Sequence, residues 1–329
     1  MMNNSRLNPR ETQIAIKKLK DFFETRLADT LNLTRVSAPL FVRPETGLND
    51  NLSGKELPVS FQLTQYQTEV EIVQSLAKWK REALDRYGFR IYEGIYTDMD
   101  AIRPNEELDA IHSIYVDQWD WEKIIKKSDR NDEYLKYIVR SIYDVFRMTE
   151  DYVAREYPMH FSSKLPSEIK FISSQELMDK YPNLNAKQRE RMIAKEYGAV
   201  FIEKIGGALS GGEPHDTRSP DYDDWNLNGD IIFYNPVMND ALELSSMGIR
   251  VDEESLLRQL KISGFEERLN LDYHRNLVSG KLPFTVGGGI GQSRICMFFL
   301  EKQHIGEVQA SVWTPDILDE CKKKGIDLL

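Results

Sequence analysis

Apolar positions near the start of the chain recur every three or four residues. After Pro9, the residues Ile14, Ile16, Leu19, Phe22, Phe23, Leu27 and Leu31 form a stripe, while Lys17, Lys18 and Lys20 fall largely on the other side, which predicts an amphipathic helix. The period then shortens. Runs rich in β-branched and aromatic residues at 33–42, 59–63, 92–103 and 113–121 predict strands, with a helix over 76–87 between the second and third of them. Helical spacing returns over 132–157 and 185–197, with Pro158, Pro166 and Pro182 as breaks. Strands are expected again at 200–205, 230–234 and 241–251, followed by two helical stretches and the strand-to-helix passage LPFTVGGGIGQSRICMFFL. Strands joined by short turns and clustered at both ends predict an α+β fold, an antiparallel sheet flanked by helices, rather than a βαβ series. No linker or repeat divides the 329 residues, so a single domain over 1–329 is expected.

The same alternation sorts the polar residues. In the strand ending at Glu122, one face carries Gln118, Asp120 and Glu122 and the other Tyr115, Trp119 and Trp121. One face builds core; the other presents an amide flanked by carboxylates, which suits a free amino acid bearing both charges. Arg103 ends the preceding strand, just before the turn Pro104-Asn105-Glu106-Glu107. Farther on, a turn centred near Met238 brings Asp230 and Glu243 near one another on paired strands, two carboxylates able to hold Mg²⁺ against a nucleotide's phosphates. Strict alternation puts Glu243 and Arg250 on opposite faces. Both reach one ligand only if a bulge, expected at Met247-Gly248, shifts the phase.

The run Gly287 to Arg294 reads as the end of a strand and the start of a helix, where main-chain N–H groups around Gly289 and Gly291 can face an anionic or planar ligand. Arg294 there offers a planar donor to phosphate or a stacking face to adenine. It also stands where GxGxxG needs a further glycine, so the run is not a dinucleotide fingerprint, and no GxxxxGK[ST] loop occurs.

Charge narrows the partners. The formal net charge is −10, so a long phosphate backbone is repelled on average and nucleic acid is not expected. The two cysteines, Cys296 and Cys321, lack metal-site or redox spacing and read as reduced thiols. The N-terminal residues lack a secretory pattern and no apolar stretch is of membrane-spanning length, so a cytoplasmic protein is expected.

Taken in order, the N-terminal helix leading to Pro39, the strand-loop-strand with Arg103, and the glycine run ending at Arg294 resemble motifs 1, 2 and 3 of the class II aminoacyl-tRNA synthetase core. A closer likeness, over nearly the whole chain, is to the ammonia-dependent asparagine synthetase family. It is carried by DNLSG (50–54), SLAKWKR (75–81), HSIYVDQWDWE (112–122), SQELMDKYP (174–182), PDYDDW (220–225), ELSSMGIRVD (243–252) and GGGIGQSR (287–294). The resemblance implies ATP, L-aspartate and ammonia as substrates, L-asparagine, AMP and pyrophosphate as products, and a β-aspartyl-adenylate between them.

By the same resemblance Arg103 and Arg294 face the nucleotide, with Gly289 and Gly291 beside it. Asp50, Ser75, Lys80, Gln118, Asp120 and Asp221 form the amino-acid pocket, in which Lys80 meets a substrate carboxylate and Asp50 orients ammonia or takes a proton from ammonium. Glu243 and Asp230 hold Mg²⁺, Ser246 and Arg250 add contacts to nucleotide or aspartate, and motif 1 implies a homodimer. Gln74 departs from the pattern, which has histidine before this serine. The segment 206–212 is a candidate cover for the nucleotide. A relative that passes its adenylate to tRNA or protein is the rival reading, set against by the acidic balance and by the absence of a separate anticodon-binding module before the first helix; an inert binding relative is set against by the presence of Arg103 and Arg294. A chain beginning Met1-Met2-Asn3, largely accounted for by the adenylating core, leaves no nucleophilic thiol for a glutaminase, so free ammonia is the expected donor.

Overall fold

Asn8 starts the first helix. Its side chain accepts from the N–H of Glu11, whose carboxylate accepts in return from the N–H of Asn8, and Pro9 occupies the first helical position of α1 (Pro9–Leu31). In this computed structural model, which describes residues 7–50, 52 and 56–329, the buried stripe of α1 is Thr12, Ala15, Leu19, Phe23, Leu27 and Leu31. It is narrower than the sequence stripe: Ile14 is 51% exposed and Phe22 stacks at the rim on Tyr152.

Short strands β1 (Leu33–Arg35), β2 (Phe41–Val42), β3 (Ser60–Leu63) and β4 (Thr68–Ile72) lead to α2 (Ala77–Arg86). The hairpin β5 (Gly94–Ile102) and β6 (Tyr115–Ile124) precedes α3 (Asp132–Glu156), β7 (Lys170–Ser173), α4 (Ser174–Lys180) and α5 (Ala186–Tyr197). Then come β8 (Ala199–Glu203), β9 (Asp223–Asn235), β10 (Asp240–Arg250), α6 (Glu253–Ser263), α7 (Asp272–Val278), β11 (Thr285–Gly291), α8 (Gln292–Phe299) and α9 (Pro315–Lys324). Four of these, β4, β7, α4 and α9, lie where the sequence pattern gave no element. Of the strands, β7 is an edge strand of the large sheet, where few apolar residues are needed, whereas β4 is the middle strand of the small one and buries only Val70. None of the helices among the described residues is long and apolar enough to cross a membrane.

Eight strands form one sheet in the order β1-β5-β6-β11-β10-β9-β8-β7, and β2-β4-β3 form a second. The large sheet is antiparallel at its centre, as expected, but each end carries a parallel pair, β1 with β5 and β7 with β8. One face packs on α1, α3 and α8. Trp119 and Trp121 of β6 enter this core fully buried, with the Trp119 ring 4.9 Å from Phe23 and Phe146 5.2 Å from Phe23. Alternation therefore turns Gln118, Asp120 and Glu122 to the opposite face.

The β9–β10 hairpin turns at 236–239, as expected. Its phase change differs from the expectation. The register shifts between Glu243 and Ser245 and again between Gly248 and Arg250, not at Met247-Gly248. Leu242, Leu244, Met247 and Ile249 consequently face the core while Glu243, Ser245, Ser246 and Arg250 all line one cleft.

Candidate active site

The cleft, of about 460 Å³, opens over the centre of the sheet on the face away from α1 and α3. Its floor is made by glycine. Gly287, Gly288 and Gly289 lie inside β11, opposite Glu122, Trp121 and Asp120 of β6, and α8 starts at Gln292, the strand end and helix start expected of this run. Their main-chain groups belong to the ladders with β6 and β10, so the glycines shape the floor rather than offer a free row of donors. A Cβ on Gly287 would sit 2.0 Å from Glu122 Oε2, and one on Gly289 2.3 Å from Gln118 Oε1. Only a strand without side chains leaves room for the polar face of β6. Gly289 and Gly291 both line the cleft.

One end of the cleft is cationic. Arg103, Lys187, Arg218 and Arg294 line it around Glu243. Arg294 Nη1 donates to the Glu243 carbonyl at 3.0 Å and lies 3.8 Å from its Oε2. Burial pushes the Glu243 carboxyl up, but Arg294, Arg218, Lys187 and Arg103 outweigh it and hold the group below its usual range. Arg103 Nε is buried and has no hydrogen-bond partner among the described residues. Arg218 escaped the sequence reading, having no motif around it except its place just after 206–212. It pairs with Asp230 and draws that residue away: Asp230 does not line the cleft, stands opposite Ser246 rather than Glu243, and burial pushes its carboxyl up to about 7. The segment 206–212 forms a hairpin closed by the Ala208–Pro214 bridge and tied through Ser210 to Gln175; none of its residues lines the cleft.

The other end is acidic and under-bonded. Asp50, Ser75, Gln118 and Asp120 line it, and Asp50 Oδ2 and Asp120 Oδ2 are buried without a partner among the described residues. Such orphaned oxygens are costly unless a ligand supplies donors. Ser245 Oγ, also in the lining and not singled out in the sequence, is likewise unpartnered. Ser75 Oγ accepts from the N–H of Ala77 at the start of α2.

Two residues expected in the pocket lie beneath it. Lys80 is fully buried, and its Nζ donates to Asp120 Oδ1 at 2.6 Å and to the Gly288 carbonyl at 3.1 Å. It anchors the floor and orients Asp120; it does not line the cleft. Asp221 is equally enclosed. Its Oδ2 accepts from Lys78 at 3.2 Å and Arg268 at 2.9 Å and lies 2.9 Å from His274 Nε2. Burial alone would raise its pKa, but Lys78, His274 and Arg268 hold it well below the usual range.

Arg250 is clamped rather than free. Nε and Nη2 meet both oxygens of Glu122 at 2.7–3.0 Å while Nη1 pairs with Asp223, all three residues being buried. Gln74, where the resembling family has histidine, donates from Nε2 to the Asp50 carbonyl at 2.9 Å. Of the segment 50–54, residues 51 and 53–55 lie outside the described residues.

The aspartate-ammonia ligase family matches residues 10–325. Among curated relatives, an aspartate–ammonia ligase of Clostridium perfringens is 63% identical over 324 residues, 98% of this chain and 96% of its own. One of Fusobacterium nucleatum is 63% identical over 325 residues, 99% of each chain. One of Bacillus cytotoxicus is 57% identical over 327 residues, 99% of this chain and all of its own. Of solved structures, the asparaginyl-tRNA synthetase of Pyrococcus horikoshii complexed with asparaginyl-adenylate aligns with a TM-score of 0.67 at 14% identity, over 92% of this chain and 70% of that one. The Entamoeba histolytica asparaginyl-tRNA synthetase aligns at 0.63 with 13% identity, over 92% and 66%. At such identities these two show a shared class II synthetase fold.

Proposed function

The chain belongs to the aspartate-ammonia ligase family, and on that premise we propose that its cleft joins ammonia to the side-chain carboxylate of L-aspartate through a β-aspartyl-adenylate. The supporting observation is the polarity of the cleft, with arginines at one end and, at the other, Gln118 beside the unpartnered oxygens Asp50 Oδ2 and Asp120 Oδ2. A triphosphate belongs with the first and an amino acid's ammonium with the second. An aspartate oxygen attacks the α-phosphorus, the new O–P bond forms, and pyrophosphate leaves with the electron pair of the broken bond. Arg103 and Arg294 supply positive charge where the phosphoryl oxygens gain negative charge. Ammonium gives one proton to a base, the role this reading assigns to Asp50; the neutral nitrogen attacks the activated carbonyl carbon, the C–O bond breaks with its electron pair going to AMP, and the adduct's remaining extra proton passes to the departing phosphate or to water.

Mg²⁺ accompanying the triphosphate would neutralise phosphate charge. Among the described residues there is no cluster of three or more side chains able to hold a metal, so the ion would rest chiefly on phosphate and water. Glu243, ionised and in the lining, fits as its protein carboxylate. Asp230, taken up by Arg218 and outside the lining, does not.

Protein incubated with ATP, Mg²⁺, aspartate and ammonium is expected to yield AMP, pyrophosphate and asparagine in equal amounts. ADP and phosphate would overturn the adenylate. Ammonia is the donor in this reading: Cys296 is fully buried, with burial pushing its thiol up to about 12, and Cys321 is buried at α9. Treatment of the native protein with iodoacetamide should leave ammonia-dependent synthesis within twofold; its loss, or efficient synthesis from glutamine alone, would contradict this.

We also propose a homodimer built on α1 and the small sheet. α1 exposes Ile14 at 51%, and the small sheet with the residue before it exposes Leu40, Phe41 and Phe61 at 52, 42 and 39%, the last two rings in edge contact. Light scattering should give twice the 38.2 kDa chain mass. A monomer mass at micromolar protein would rule the dimer out.

A further inference from the structure

Ammonium, not ammonia, dominates near neutral pH, and only the neutral nitrogen attacks, so the second half-reaction needs a proton acceptor of suitable affinity. The main chain at Asp50 is firmly held. Asn49 Oδ1 accepts from the N–H groups of Asp50 and Gln74, each at 2.9 Å, and Gln74 Nε2 holds the Asp50 carbonyl. The carboxyl is held differently. Oδ2 has no partner among the described residues, while Oδ1 lies 3.0 Å from Ser219 Oγ. The same Oγ lies 2.8 Å from Asp221 Oδ1. One hydroxyl thus stands between two buried carboxylates, and it has one hydrogen to give. Asp221 can spare it, because Lys78, Arg268 and His274 already meet its other oxygen.

Resting on the reading of Asp50 as the proton acceptor, we infer that Ser219 is a positioning residue that sets the proton affinity of Asp50 by turning its hydroxyl hydrogen between Asp50 and Asp221. While Asp50 is ionised, the hydrogen points to Asp50 Oδ1. When ammonium yields its proton, an N–H bond breaks, its electron pair stays on nitrogen, and an O–H bond forms at Asp50 Oδ2. Ser219 then donates to Asp221, which remains ionised throughout. The surroundings keep Asp50 near balance. Burial and Asp221 favour its protonated form, whereas Lys78, Ser219 and Arg268 favour the anion, and the net direction is upward from the ordinary carboxylate value. Tyr222, also packed against Asp50, has its phenol pushed well up by burial and stays neutral.

The test follows kcat/KM for total ammonium against pH at saturating ATP and aspartate, with aspartate-dependent pyrophosphate exchange measured beside it. Ser219→Ala removes the donor and leaves Asp221 in place, so the acidic limb should move to higher pH by about one unit. The ammonia-dependent rate at neutral pH should fall at least fivefold more than the exchange rate. Ser219→Cys, close in volume but a weaker donor, should give an intermediate shift and guards against an alanine variant that does not fold. Asp50→Asn is the control, expected to abolish the limb. If it does, and the limb stays put in both Ser219 variants, the role of Ser219 is overturned while Asp50 stands. If Asp50→Asn retains the limb, the reading of Asp50 falls and this inference with it. Equal losses of exchange and synthesis in the Ser219 variants, without a shift, would mark a merely structural residue and also overturn it.

Discussion

Arg103→Ala will lower aspartate-dependent pyrophosphate exchange about a hundredfold, close to 3 kcal/mol, without lowering stability. The first part follows from its place in the cleft near Glu243, where on the proposed adenylate route the α-phosphoryl oxygens gain charge as phosphorus becomes five-coordinate. The second follows from its freedom. Nε has no partner among the described residues, and no ion pair involving Arg103 occurs among them, so removal leaves no carboxylate stranded. Arg103→Lys should recover only part of the loss, since a point charge lacks the planar pair of donors. Near-normal exchange by folded Arg103→Ala would place the residue outside the chemistry.

Arg250→Ala will behave in the opposite manner, costing about 3–5 kcal/mol of stability by stranding buried Glu122 and Asp223 without their cation. Glu122 is the main partner, with both oxygens engaged. Burial pushes Glu122 up, but Arg250 and Lys80 more than compensate, and its pKa lies below the ordinary 4.5. A depressed carboxylate contributes stability that is full above its unfolded value and is lost as pH falls through the folded one. The clamp should therefore weaken only in acid. Asp223 is different: burial raises it despite Arg250, as expected of the partner with a single contact. Urea midpoints at neutral pH decide the matter. A midpoint for Arg250→Ala equal to that of the parent would show that the clamp adds nothing, and Glu122→Gln in the same chain should recover part of the loss.

What the sequence made legible was whatever depends on local period. Trp119 and Trp121 against Gln118 and Asp120 could be assigned to opposite faces because a strand alternates whatever its neighbours are. Boundaries of α2, α3 and α5 followed for the same reason, each within about two residues. Glycine broke the method. In Thr285–Gly291 the run suggests main-chain donors free for a ligand, because nothing local says that the side chains of Gln118 and Glu122, on a strand 165 or more residues earlier, fill the space a Cβ would need. Lys80 and Asp221 failed for a related reason. Their charges are consumed by Asp120, 40 residues away, and by Lys78, Arg268 and His274, 143, 47 and 53 residues away. Arg218 shows the converse, a cation brought into the cleft by a loop that no periodicity marks.

The position of β11 bears on how the chain is made. It is the last strand in sequence, yet it lies in the middle of the sheet between β6 and β10. During synthesis on the ribosome, both earlier hairpins can form well before residues 285–291 have emerged, and each then shows a bare inner edge to the other. Were β6 and β10 to pair directly, no glycine floor would separate the side chains of Gln118 and Glu122 from those of the facing strand, and the sheet would close without a cleft. Nascent chains arrested before Gly287 should accordingly be protease-sensitive along β6 and β10 and dependent on holding chaperones, with a functional molecule arising only when the final strand threads between its two waiting edges.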